Sequence, residues 1–283
     1  MSGQSENLVP YTPMMQLVKA TKAVKQTGSS AALHALATGL LANPELLCRA
    51  FEASVVQFEA RFDEEPLPFR KAPKLPPAPP VAGVLSRDRD LDWYFHRQGA
   101  LSIDGMPHLD VSYVDYEVSI IRKLHDVRFD TPGRPKAGKA FRLDALAVNA
   151  NDCAVVPIEI KLKEDADPFS ALIQLLNYVA LLATGSQRRR VRKHYESAAS
   201  GDADARLDAY IALHEFGSNE NSAHFPLKRD LDSIASELAK TIMTGCPAIS
   251  GHVRRIVCLD VRLDEAGDEW RLGAGPRWVH ESG

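Results

Sequence analysis

The chain has 283 residues, 45% of them hydrophobic and 25% charged, with a formal net charge of -3 and four cysteines. These values exclude a disordered tail, a collagen-like fibre and a disulfide-stapled mini-protein, and they allow one large or two modest cores. So small a net charge also excludes nucleic-acid binding through bulk positive charge, so any such contact must come from local basic patches.

Residues 12–60 carry helical periods. Leu33, Leu36 and Leu40 share one face, and Asn43-Pro44 opens a second helix bearing Leu47, Phe51 and Val55. The stretch EEPLPFRKAPKLPPAPP, residues 64–80, holds seven prolines between Pro66 and Pro80. Proline removes a backbone donor and biases its predecessor to extended geometry, so this reads as a semi-rigid linker. The expected organisation is a helical N-terminal region (1–65) with no catalytic constellation, a proline-rich linker (66–90) and an α/β domain (91–283).

In that last part the spacing predicts a helix from Ser112 to Leu124, a strand near 127–129 and a basic loop, TPGRPKAGK (131–139). Strands follow at 141–149 and 154–162, joined by a polar turn. Asp167-Pro168 caps an apolar helix running to about Ala183. A strand at 209–216, a helix opened by Pro226 and ending near Met243, and strands at 252–263 and 269–272 complete the pattern. Strands interleaved with helices make the class α/β.

Cys48, Cys153, Cys246 and Cys258 form no CxxC pair and no zinc-like cluster, which points to buried, reduced thiols. The opening MSGQSENLVP lacks a basic-then-apolar profile, and the apolar run Ala31 to Ala42 is too short to cross a bilayer. A soluble, cytoplasmic protein without a membrane partner is expected; its oligomeric state, a homo-oligomer included, is left open.

The chemistry concentrates on the hairpin. In 154–162, Val156, Ile158, Ile160 and Leu162 point to one side, and Glu159, Lys161 and Lys163 to the other. With a four-residue turn at Asn149 to Asp152, Val148 pairs with Cys153, Asp144 faces Pro157 and Glu159 is its diagonal neighbour. Such neighbours lie roughly 7–8 Å apart at Cα, within reach of one hard cation. Two carboxylates plus waters and a phosphate suit Mg²⁺, and Lys161 beside them can orient a water or stabilise a phosphoryl oxygen. The competing reading is a solvated sheet face with alternating Glu and Lys. On the predicted helix Glu117 shares a stripe with Tyr113, Ile120 and Leu124, either paired inside the fold or bent out to water. On the apolar helix Gln174 and Tyr178, four apart, form either a satisfied buried pair or a polar strip facing the site.

Glu117 on a helix, Asp144 on a strand, Glu159-x-Lys161 on the next strand and Gln174-x-x-x-Tyr178 on the following helix together resemble the PD-(D/E)XK nuclease superfamily, in particular its RecB-like branch. The likeness covers roughly residues 110–215, with Leu143 where the family name has proline. It implies a restriction-endonuclease-like mixed sheet flanked by helices and a nuclease that hydrolyses phosphodiesters of nucleic acid, with DNA the first candidate and RNA left open. Asp144 and Glu159 would bind Mg²⁺ (or Mn²⁺), helped by the Ile160 carbonyl and by Glu117 as accessory ligand. Lys161 would activate or position the attacking water, and Gln174 and Tyr178 would line the site or contact the strand.

Basic residues support a phosphate-bearing partner. Arg142, Lys163 and Lys139 are the nearest candidates for substrate contact, within a group that includes Arg122, Lys123, Arg128, Arg134 and Lys136. A second cluster, Arg188, Arg189, Arg190, Arg192 and Lys193, follows the Gln/Tyr helix. Two other readings compete: a non-catalytic nucleic-acid-binding or assembly module keeping the nuclease fold, and a helical interaction factor acting through residues 1–65.

Overall fold

The computed structural model describes residues 12–61, 75–119, 142–195, 206–216 and 225–282. Its centre is a mixed seven-stranded sheet in chain order, from β1 (Ala100–Leu101), β2 (Val111–Ser119), β3 (Arg142–Asn149) and β4 (Val155–Leu162) to β5 (Leu207–His214), β6 (Val253–Ala266) and β7 (Glu269–Glu281). Strands β1 to β4 and the β6–β7 pair are antiparallel, whereas β4, β5 and β6 run parallel. The sheet curls until Ile103, just after β1, bridges to Ala274 of β7.

Helices cover both faces. On one lie α1 (Pro13–Gln26), α2 (Ser30–Ala42), α3 (Pro44–Arg61), α5 (Pro168–Leu182), α6 (Gly185–His194), α7 (Phe225–Gly245) and the short α8 (Pro247–Ser250); on the other lies α4 (Asp88–Gln98). Helix α5 opens as its sequence dictates. Asp167 accepts the Ser170 N–H at 3.1 Å and Pro168 stands at its first position. All fifteen of its residues are buried, because it lies between the sheet and a second layer of helices. That second layer is the N-terminal region. Met14, Leu33, Leu40, Leu47, Phe51 and Phe58 belong to the same apolar cluster as Phe169, Leu172 and Leu176. Residues 12–61 therefore share one core with the sheet, despite the proline-rich segment that follows them. Residues 62–74 of that segment lie outside the described residues, and α4 begins inside its expected bounds, at Asp88.

Two expectations about the site's framework are corrected. Residues 111–119 form a strand, not the start of a helix. Val111, Tyr113, Val114, Tyr116 and Val118 are β-branched or aromatic, and a bulge between Tyr113 and Asp115 breaks their two-residue alternation into something closer to a helical period. Val114 is the extra residue of the bulge, and Asp115 beside it accepts from Tyr116 N–H at 2.9 Å and from the Tyr195 hydroxyl at 2.8 Å. In the hairpin, Val148 pairs with Val155, not Cys153, and Pro157 lies opposite Leu146. The four-residue turn is one position later than expected, Ala150 to Cys153, because Asn149 N–H bonds to Ala154 C=O and its side chain accepts from Asn151 N–H. The paired sum shifts by two, an even number, so every side chain keeps its face.

Elsewhere the differences are in extent. The last strand reaches Glu281, well beyond 272, since a bulge next to Leu259 accommodates Pro276 within the pairing. The strand expected at 127–129 and the basic loop 131–139, with Lys139, lie outside the described residues. Among the described residues no single helix is long and apolar enough to cross a membrane.

Candidate functional site

Pairing of β3 with β4 is continuous from Val148 opposite Val155 to Ala145 opposite Ile158, and there it stops. The next residue of β3 is Asp144, whose carboxylate takes over the role of a strand and accepts the Ile160 N–H at 2.9 Å. Extending the register puts Asp144 directly across from Glu159, closer than the diagonal relation expected. In an extended residue N–H and C=O face the same neighbour, so the Ile160 carbonyl faces this same gap.

Glu159 is buried on the α5 side of the sheet. Its Oε1 accepts from Lys161 Nζ at 2.6 Å, while its Oε2 is buried with no hydrogen-bond partner. Burial first and the neighbouring Glu159 second push the Asp144 carboxyl up to about 7, against the pull of Lys161. Lys161 moves in the opposite sense to what burial alone would do. Glu159 and Asp144 outweigh desolvation and hold its ammonium above the usual lysine range, so it stays a cation. The Tyr178 hydroxyl, raised by burial and then by Glu159 and Asp144, stays protonated on α5 above them. Gln174, one turn earlier, is buried and lines a cleft together with Lys161.

A further carboxylate arrives from the other face. Asp92, in the middle of α4 beside Leu91, Tyr94 and Phe95, is 2% exposed, and its Oδ1 has no hydrogen-bond partner. Its pKa is raised well above the carboxylate range, first by burial and then by Asp144, Asp88 and Glu117. Asp88, one turn earlier on α4, is pushed up to about 6 by burial and by Asp144, with Lys161 opposing. Sequence reasoning passed over both: Asp88 falls within residues 66–90, read as linker, and Asp92 lies just beyond it in a stretch to which no element was assigned. The signal was in RDRDLDWYF, where Asp88 and Asp92 stand four apart on one helix face and Asp92 adjoins the apolar residues.

The expected residues divide as follows. Asp144, Glu159, Lys161, Gln174 and Tyr178 are brought together around the open end of the hairpin. Glu117 is on β2, not on a helix, at φ 44°. Tyr116 and Val118 flank it opposite Ala145 and Leu143, so it adjoins Asp144 in the sheet, but its half-exposed carboxylate is 3.2 Å from the Arg142 guanidinium. Arg142 is thus engaged by Glu117. Lys163 follows β4 at φ 50° with an exposed side chain. The second basic cluster is elsewhere. Arg188 bonds His252, at the end of the sheet where β4, β5 and β6 begin, and Arg190 is buried against Gln187; Lys161 stands at the opposite end. His214 is occupied structurally, its Nδ1 2.9 Å from the Val261 carbonyl.

Among the described residues no group of three or more His, Cys, Asp or Glu side chains stands assembled as a metal cage. The donors that gather around Asp144 are hard oxygens, though, and two of them, Glu159 Oε2 and Asp92 Oδ1, are buried without a partner. An orphaned buried carboxylate oxygen is costly unless a cation or proton meets it, so the residues present fit a hard divalent ion. No protein-family model, curated protein or solved structure matches the chain.

Proposed function

We propose that this protein is a divalent-metal-dependent nuclease of the PD-(D/E)XK type, hydrolysing phosphodiester bonds of nucleic acid, DNA in preference to RNA. One observation carries the reading: Asp144 and Glu159 stand side by side where β3 and β4 part, with Glu159 Oε2 buried without a partner, Lys161 as the cation that offsets both, and Asp92 adding its charge to Asp144 from the other face. Like charges are not gathered out of water at random, and such a cluster in a cleft marks a functional site. The mixed sheet flanked by helices suits a restriction-endonuclease-like core.

Asp144 and Glu159 would hold Mg²⁺ or Mn²⁺, with the Ile160 carbonyl and Asp92 completing the oxygen set. When bound, the ion would polarise a phosphoryl oxygen and make a coordinated water more acidic. Lys161 already carries its proton, so it does not act as a base. It positions the attacking water and balances the negative charge growing on phosphorus-bound oxygen. Gln174 and Tyr178 offer hydrogen bonds from α5 along the same wall. Glu117 acts through Arg142, fixing the first residue of β3.

A second reading, a nucleic-acid-binding or assembly module without catalysis, draws on the Lys161–Glu159 contact, since that ammonium already neutralises one carboxylate. Incubation with linear, circular and single-stranded DNA and with RNA, in Mg²⁺ or Mn²⁺ against EDTA, separates the two. Metal-dependent strand cleavage supports the nuclease, and intact substrates in every combination support the module.

A further inference from the structure

Helix α1 has Lys19, Lys22 and Lys25 and no acidic residue. Met14 and Met15 anchor it in the core beneath, and one of its faces stands over α5. Between that face and the site lies a cleft of about 260 Å³, lined on one side by Val18, Thr21, Lys22, Lys25 and Gln26 and on the other by Lys161, Asp165, Ser170 and Gln174.

Three features suit this cleft to a phosphate. Lys25 is positioned in the wall by Asp165 at 3.2 Å and Asp167 at 3.4 Å, which offset part of its charge while orienting its ammonium. Lys22, one turn earlier, is exposed and lines the same space. Ser170 Oγ is buried without a hydrogen-bond partner in a residue only 3% exposed, a hydroxyl awaiting an acceptor.

We propose that α1 supplies a second phosphate subsite: Lys22 and Lys25, with Ser170 across the cleft, hold a backbone phosphate of the same nucleic-acid strand, next to the one attacked beside Lys161. The N-terminal helices then take part in substrate binding as well as in the core. This assignment rests on the nuclease reading for what the strand does next, but its binding test does not.

The test is binding of a fluorescent single-stranded oligonucleotide in EDTA, where no cleavage occurs, by wild type, Lys22→Gln and Lys22→Arg across a salt series, with inorganic phosphate as competitor. Lys22 is exposed, and unchanged thermal melting confirms that the variants fold. Loss of one charge-assisted contact weakens Lys22→Gln about tenfold and flattens the slope of log affinity against log salt by about 0.7, whereas Lys22→Arg stays close to wild type. Equal affinity of wild type and Lys22→Gln overturns the subsite, and if wild type still cleaves DNA the nuclease reading survives. Weaker binding by Lys22→Gln in a protein that cleaves nothing upholds the subsite and removes the nuclease reading. A variant that loses only competition by inorganic phosphate, keeping its oligonucleotide affinity, assigns the cleft to free phosphate and overturns the proposal.

Discussion

The Asp144 carboxylate accepts the Ile160 N–H at 2.9 Å one residue beyond the last main-chain pair of β3 and β4. A side chain thus bridges the point where two strands separate, and Glu159 and Lys161 stand beside that gap on the α5 face of β4. The bond also helps keep part of the carboxylate ionised against burial and against Glu159.

Replacing Asp144 by Asn keeps a side-chain oxygen for Ile160 N–H but removes the charge. Cleavage is expected to fall by about 10²-fold or more, with the circular dichroism spectrum unchanged. Glu159→Gln and Lys161→Met are expected to lose activity comparably. Full cleavage by all three variants would refute their assignment to the chemistry.

Asp92 gives an opposite pair of effects. Its carboxyl is raised by burial and by four neighbouring acids, Asp144, Asp88, Glu117 and Asp115, so ionised Asp92 destabilises the fold once pH exceeds the ordinary carboxylate range. Asp92→Asn is therefore expected to melt higher than wild type in EDTA at neutral pH, and to bind Mn²⁺ more weakly. A lower melting temperature in EDTA together with unchanged Mn²⁺ affinity would show that Asp92 is structural.

The pH dependence follows from Asp144. Its folded pKa of about 7 lies above the ordinary 3.8, so the unfolded chain releases this proton first and stability declines as pH rises through that window. A cation must displace the same proton. Mg²⁺ or Mn²⁺ affinity, measured by calorimetry, should climb with pH up to about 7 and level off above it. Affinity that stays constant between about pH 5.5 and 8 would contradict the coupling.

The N-terminal helices also hold the core together. Phe51 is fully buried in the cluster that includes α5, and Phe51→Ala is expected to cost about 3–5 kcal/mol in urea denaturation. Deleting residues 1–80 should expose the outer face of α5 and abolish cooperative unfolding. A truncated chain that melts as sharply as the whole would show that the sheet and α5 fold alone.

The hairpin and its facing helix were legible in the sequence because their signals are local. Parity alone places Glu159 and Lys161 opposite the Ile158–Ile160 face, and Asp167-Pro168 announces α5. The register slipped by one residue at each side of the turn, since Asn149 closes an Asx turn that composition does not reveal, yet an even shift leaves Asp144 on the right face. Strand β2 was illegible for a specific reason: the bulge at Val114 disrupts alternation, and the group that holds Asp115 beside it, the Tyr195 hydroxyl, is distant in sequence. Asp92 was missed because its role depends on α4 crossing the sheet. That the N-terminal helices roof α5 is likewise a tertiary fact, since the prolines between them suggest separation where packing joins.

The most direct measurement is calorimetric titration of Mn²⁺ into wild type and Asp144→Asn at neutral pH, with cleavage of linear DNA followed in the same samples. The account predicts saturable binding by wild type that the variant loses, and cleavage that appears only as the wild-type site fills. Identical titrations for the two proteins, or cleavage that persists in EDTA, would contradict it.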